Sequence, residues 1–267
     1  MGDATGSTSA DEQTSSTGIL GQQLEEGLNE LERPTDGLAL SALSAGLDIG
    51  FGPLLMAVVV ALAAGEWGDP VLEIALANAY AVGFVFVVIG RSELFTEHTT
   101  LAVLPVLDGR ATWQSLARLW GVVFAANVVG GAVFAGIAVV VAPAYGIADA
   151  AAFEAVATPL VAHGNAALFA GAVLAGWLMG LMSWLVAAAQ ETLSRAFFVW
   201  LVAATIGIAH LPHCIAGSVE VLLGVASGVV GPIAYGRFLV FATAGNVLGG
   251  VVFVSLLKYG HVVRGGD

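Results

Sequence analysis

Charged side chains make up only 10% of these 267 residues, where a soluble domain carries about 25%. Basic ones are scarcest. Eight Lys and Arg face twenty Asp and Glu, and Lys258 is the only lysine. That balance excludes nucleic acid as a partner, because backbone phosphates demand basic patches. Cysteine is almost missing as well. Cys214 stands alone, so no intrachain disulfide forms. There is no GxxxxGK[ST] phosphate loop, no HExxH and no CxxC. His210 and His213 lie three apart, but Leu211-Pro212 between them breaks the helical geometry that a paired metal site uses. The sequence therefore leads us to expect no metal, no cofactor and no enzyme activity. The N-terminus lacks a basic stretch followed by an apolar core, so no cleavable signal peptide is expected.

What is plentiful is apolar surface. Hydrophobic residues make up 58% of the chain. Too few polar groups remain to cover such a molecule in water, so lipid is the expected solvent. Eight of the acids lie within the first 36 residues, which assigns much of the net charge of −12 to an N-terminal segment. Residues 1–18 have the Ser/Thr/Gly-rich, acidic composition of a disordered tail. From 19 to 32, Leu20, Leu24, Leu28 and Leu31 fall on one face of a short amphipathic helix. That face suits packing against the bilayer surface or a neighbour; a gating role is the alternative. The expected organisation is an acidic cytoplasmic tail over 1–36, a six-helix channel domain over 37–260 and a C-terminal tail over 261–267.

A membrane span needs about 20 apolar residues. Spans are expected at roughly 38–64, 70–107, 113–142, 165–190, 196–228 and 233–257. The second and fifth are too long for one straight helix. The second is interrupted at GRSELFTEHTT, 90–100, and the fifth at HLPHC, 210–214. Broken helices at corresponding places in two halves point to a transport site near the midplane. The halves also match in sequence. Ile89-Gly90 and Ile206-Gly207 precede the breaks, and an ungapped alignment on them sets Glu93 against His210, Leu94 against Leu211 and Thr96 against His213. Farther on, Asn127 to Gly131 matches Asn246 to Gly250. Three spans per half make this an inverted repeat. Arg33, Arg110, Arg118, Arg195, Lys258 and Arg264 fall on one side if both termini are cytoplasmic, which leaves the 143–164 loop external.

Ionisable groups inside a span are costly and usually functional or paired. His213 follows Pro212, which removes a backbone donor at the break. The repeat favours a pore-facing His213 over one merely hydrogen-bonded within the bundle. Thr96 offers a hydroxyl to an anion or to His213, or else bonds back to its own helix. Leu94 and Phe95 form an apolar constriction or simply pack. Arg91, Glu93 and Glu97 are expected to pair among themselves or with Asp48 or Glu220, with a proton relay as the other reading. His98 and His210 suit wet helix ends. Asn127 and Asn246, beside paired glycines, are expected to hold helices together.

These same segments resemble the formate/nitrite transporter family. Ser92-Glu93-Leu94-Phe95-Thr96 is similar to its motif in a broken second helix, and Gly109-Arg110-Ala111-Thr112-Trp113 to the turn that follows. Pro212-His213-Cys214-Ile215-Ala216 resembles its central-histidine segment, and Gly245 to Gly250 the start of its sixth helix. The resemblance runs from about Ser44 to Tyr259. It implies an aquaporin-like, homopentameric inner or plasma membrane protein. One pore per protomer would pass small monovalent anions, or their acids, of the formate, nitrite or hydrosulfide class. By that analogy Leu94, Phe95 and Thr96 form a cytoplasmic constriction and His213 the central histidine. The chain departs from the family pattern in four places. Arg91 replaces a usual Gly and Glu97 a small residue. Gly176 stands near a frequent Asn, and Leu160 stands near a frequent external Lys. Those departures give the alternative expectation, a transport-inactive relative acting as a membrane scaffold or sensor.

Overall fold

The computed structural model describes residues 15–63 and 65–265, and among them every regular element is a helix. The tail expected to be disordered lies mostly outside the described residues, as does the end of the C-terminal tail.

Ser16–Glu32 forms α1, its N-terminus capped by the Ser15 hydroxyl accepting from Gly18 N–H at 3.1 Å. The leucine spacing works as expected for Leu20, Leu24 and Leu31, which are buried. Ile19, Leu20 and Leu24 pack on Leu104, Trp184, Ala187 and Val262. The partner of this helix is the protein's own body. Gln23 Nε2 donates to Ser183 O at 2.9 Å. At the far end Arg118 donates to Leu31 O at 2.7 Å, Arg33 O at 3.2 Å and Thr35 Oγ1 at 2.9 Å. These bonds satisfy carbonyls that a helix end otherwise leaves open.

The first span is α2 (Thr35–Asp48) followed by α3 (Phe51–Ala63). The second is broken as expected into α4 (Asp69–Ile89), α5 (Phe95–Leu101) and the single turn α6 (Leu104–Leu107). The third is α7 (Trp113–Ala144). The expected 143–164 loop contains a helix, α8 (Ala150–Ala162), which starts at Asp149, whose carboxylate accepts from Ala152 N–H at 3.0 Å. At 13 residues it is too short to cross a bilayer. The fourth span is α9 (Asn165–Ala188), and the fifth is broken into α10 (Thr192–Ile208) and α11 (Ala216–Ala226). The sixth is α12 (Pro232–Gly250), which runs through a π-helical turn, Val251–Leu256, into α13 (Leu257–Gly265). Among the described residues five helical stretches, with α2 and α3 counted as one, are long and apolar enough to cross a membrane, and the shorter α10 and α11 make up the broken fifth span.

The two halves repeat their contacts. A Cβ on Gly46 would lie 2.3 Å from Asn127 O, and one on Gly176 2.1 Å from Asn246 O. A Cβ on Gly130 would lie 2.5 Å from Leu43 O, and one on Gly249 2.2 Å from Val173 O. Only glycine permits backbones this close, so α2 crosses α7 as α9 crosses α12.

Candidate pore at the two helix breaks

Two buried asparagines hold the breaks. Asn127 Oδ1 accepts from Phe95 N–H at 2.9 Å, and its amide donates to Glu93 O at 2.8 Å and Ala42 O at 2.7 Å. Asn246 Oδ1 accepts from Cys214 N–H at 2.8 Å, and its amide donates to Pro212 O at 2.9 Å and Ala172 O at 2.8 Å. Backbone groups freed by a broken helix must find partners inside the protein, and these brackets supply them. Besides joining helices, each asparagine therefore fixes the shape of one break.

The brackets also correct the register of the repeat. Phe95 corresponds to Cys214, Glu93 to Pro212, and Leu94 to His213. The left-handed residues agree: Arg91 has φ 56° and His210 φ 47°, a conformation that non-glycine residues rarely adopt. The ungapped alignment on Ile-Gly is two residues out. Helix α10 runs to Ile208, which is the counterpart of Ile89, so the Gly207 match was accidental. Thr96 and His213 are therefore not equivalent by the repeat, and Thr96 corresponds to Ile215.

They meet nonetheless. Thr96 Oγ1 and His213 Nε2 lie 2.8 Å apart, both fully buried. His213 Nδ1 accepts from the backbone N–H of Ile215 at 3.2 Å and of Ala216 at 3.0 Å, capping α11. An Nδ1 that accepts carries no proton, so the neutral ring bears it on Nε2 and donates to Thr96. Protonating Nδ1 would set N–H against N–H and cost both capping bonds. The Phe84 ring stands edge-on to His213 at 5.0 Å, and Tyr80 lies 5.1 Å beyond Phe84. Leu94, two residues before Thr96, is fully buried. Phe95 is buried too, its ring packed on Phe124 at 5.0 Å and Trp120 at 6.1 Å.

The charged residues of the first break gather at its α1 end. Glu93 pairs with Arg33, and its other oxygen lies 2.5 Å from His98 Nε2. Arg33 also reaches Glu30 at 2.9 Å. The expected pairing of Arg91, Glu93 and Glu97 among themselves or with Asp48 or Glu220 does not occur among the described residues. Asp48 instead accepts from Ser44 at 3.0 Å. Among the described residues Arg91, Glu97 and Glu220 form no ion pair, and Arg91 is exposed. Glu30, Glu93 and His98 place ligand atoms within 4.8 Å of one another. Arg33 bridges the two carboxylates, so the cluster already has its cation. Burial raises the Glu30 carboxyl above the usual range, with the Glu93 charge adding to it. A cavity of about 270 Å³ opens here, lined by Glu30, Arg91, Glu93, Glu97, His98 and Arg195 among others. His210, at the other break, pairs with Glu73 at 2.8 Å, both half-buried. Glu30, Phe84 and Tyr80 are not marked by the sequence, and Arg33 is marked there only for orientation. Only Arg33 carried a signal, a lone cation before the first span.

Comparison with known proteins gives the lineage. The formate/nitrite transporter family model matches residues 18–260. The inner membrane protein YfdC of Escherichia coli is 31% identical over 244 residues, which cover 89% of this chain and 76% of that one. A probable formate transporter of Methanothermobacter thermautotrophicus is 28% identical, covering 85% and 89% of the two chains. The nitrite transporter NirC of Salmonella typhimurium is 27% identical, covering 82% and 81%. Among solved structures, an FNT family ion channel superposes with a TM-score of 0.80 at 21% identity, over 92% of this chain and 99% of that one. A pentameric formate channel with formate bound gives 0.71 at 23% identity, over 86% and 98%. These two likenesses establish the fold. The chain is a member of the formate/nitrite transporter family of membrane transporters.

Proposed function

We propose that this chain forms a channel for small monovalent anions or their conjugate acids, of the formate, nitrite or hydrosulfide class. The path runs through each protomer of a homopentamer. The observation that carries this reading is the 2.8 Å contact between Thr96 and His213, where the two helix breaks meet inside the bundle. Leu94, fully buried two residues before Thr96, makes the path narrow and apolar. A solute entering such a constriction sheds water and needs a partner in return. The Nε2–H of His213 and the hydroxyl of Thr96 are the partners on offer. Each half brings one break to the meeting point, and three spans per half insert the halves with opposite topology.

The setting follows from the same reading. The protein resides in the inner or plasma membrane, with both termini on the cytoplasmic side and α8 outside. The charge asymmetry of the loops supports that orientation. Apolar side chains exposed along α7, among them Val129, Val133, Ile137 and Val140, suit contact with lipid or a neighbouring protomer. The anion-binding names of the relatives and the pentameric state of one structural neighbour support the solute class and the assembly.

Purified protein in liposomes tests the reading. Formate, nitrite and hydrosulfide gradients should dissipate faster than in protein-free liposomes. Rates equal to the protein-free control for all three would favour the scaffold alternative.

A further inference from the structure

We propose that Glu220 sets the charge selectivity of the α8-side half of the pathway, so that this half takes the neutral conjugate acid of a small monovalent anion. The inference rests on the channel reading above.

The placement comes first. Glu220 lies seven residues past His213, one turn into α11, which leads away from the second break. On the facing wall, Phe84 touches the His213 ring and Tyr80 follows one turn farther from the break. The Glu220 carboxylate is close enough to the Tyr80 phenol for the two to interact electrostatically. The carboxylate and the phenol thus stand beyond His213, on the side away from α1.

Isolation comes second. Glu220 is 6% exposed, and among the described residues it makes no hydrogen bond and no ion pair. No basic side chain faces it from any packed element. Helix α3 has no titratable residue. On α7 the only charge is Arg118, which is bonded to Leu31 O, Arg33 O and Thr35 at the opposite end. Glu154 of α8 is exposed. On α12, Arg237 is held by carbonyls of Val161 and His163, and Tyr235 is neutral. On α4, Glu73 is paired with His210, and Asp69 lies at the helix start.

The third observation is that the fold does not call for an acid here. In the register fixed by the asparagine brackets, Glu220 corresponds to Leu101, a buried leucine. An unpaired carboxylate in a narrow apolar passage repels an anion strongly, because little solvent screens the two charges. With a proton taken from water at the α8-side mouth, the same group becomes a neutral carboxyl that can donate to the solute. A solute arriving as the neutral acid avoids the repulsion altogether.

Formate currents across liposomes holding the full chain test this. Glu220→Gln keeps the shape and removes the charge. At an external pH of about 8 it should raise the formate anion current about tenfold and flatten the pH response. Wild-type currents that Glu220→Gln leaves unchanged overturn this inference alone. A wild-type protein that passes none of the three solutes removes the channel reading, and this inference with it. Because the variant could misfold, a membrane-soluble carbodiimide, which attacks protonated carboxyls, is applied to the wild type. Peptide mass spectrometry should find Glu220 modified, less so as pH rises; an unmodified Glu220 at about pH 5 overturns the proposal.

Discussion

At the first break Asn127 holds Phe95 N–H and Glu93 O; at the second Asn246 holds Cys214 N–H and Pro212 O. The brackets have the same three bonds and both sit behind a left-handed residue, yet they present different chemistry. The first break carries Arg91, Glu93, Glu97 and His98 and is tied by Arg33 to the amphipathic helix α1. The second carries His213 with no charge beside it and, at its start, His210 paired with Glu73, while its α11 holds a lone carboxyl. The backbone device is common to both halves, and the side chains displayed on it differ. A fold that fixes its breaks through one asparagine is free to vary the side chains those breaks display.

The largest effect should come from the brackets themselves. Asn127→Ala and Asn246→Ala each leave one buried N–H and one carbonyl of a break without partners, at about 1–3 kcal/mol per orphaned group, while Ala42 O and Ala172 O keep their helical bonds. Both should lower the melting temperature of the solubilised protein sharply and by similar amounts. A large loss for one and none for the other would break the equivalence of the halves. A smaller effect is expected from the tie that only the first break has. Arg33→Ala removes partners from Glu30 and Glu93 and should cost about 1–3 kcal/mol, the scale for hydrogen bonds to charged groups. Limited proteolysis should then cut α1 faster, with the spans intact; unchanged cleavage would mean that Leu20, Leu24 and Gln23 hold the helix alone. The smallest effect belongs to Glu73→Gln. The Glu73–His210 pair is within reach of solvent, and ion pairs open to solvent contribute about 0–1 kcal/mol. A melting temperature lowered as much as by Asn246→Ala would show that the pair, not the asparagine, holds the second break.

The sequence shows the spans, the two interruptions and the leucine face of α1, because composition and periodicity are local. It also shows His213 as the residue to watch. The register of the repeat is harder. Ile-Gly occurs twice by accident, whereas the equivalence that matters lies in which backbone groups Asn127 and Asn246 reach. Helix α8 has its own start signal in Asp149, but a largely apolar stretch of 13 residues disappears between spans when only span length is sought. The Arg33–Glu93 pair joins residues 60 apart and has no local signature. The same holds for the capping role of His213 Nδ1, which depends on how the chain turns after Pro212. The packing of Phe95 on Trp120 and Phe124 likewise appears only once α5 is laid against α7.

The central claim is that solute passes the point where Thr96 and His213 meet, and His213→Asn addresses it directly. Asparagine is a good helix cap, so its side-chain oxygen can still accept from Ile215 and Ala216 N–H, and stability should stay within about 1 kcal/mol. Its shorter side chain does not place a donor where Nε2–H stands. Formate flux into liposomes, compared between wild type and His213→Asn at equal protein content, should fall at least about tenfold as the donor to the dehydrated solute is lost. Flux equal to wild type, from a variant equally stable, would contradict the account and leave His213 as a cap of α11.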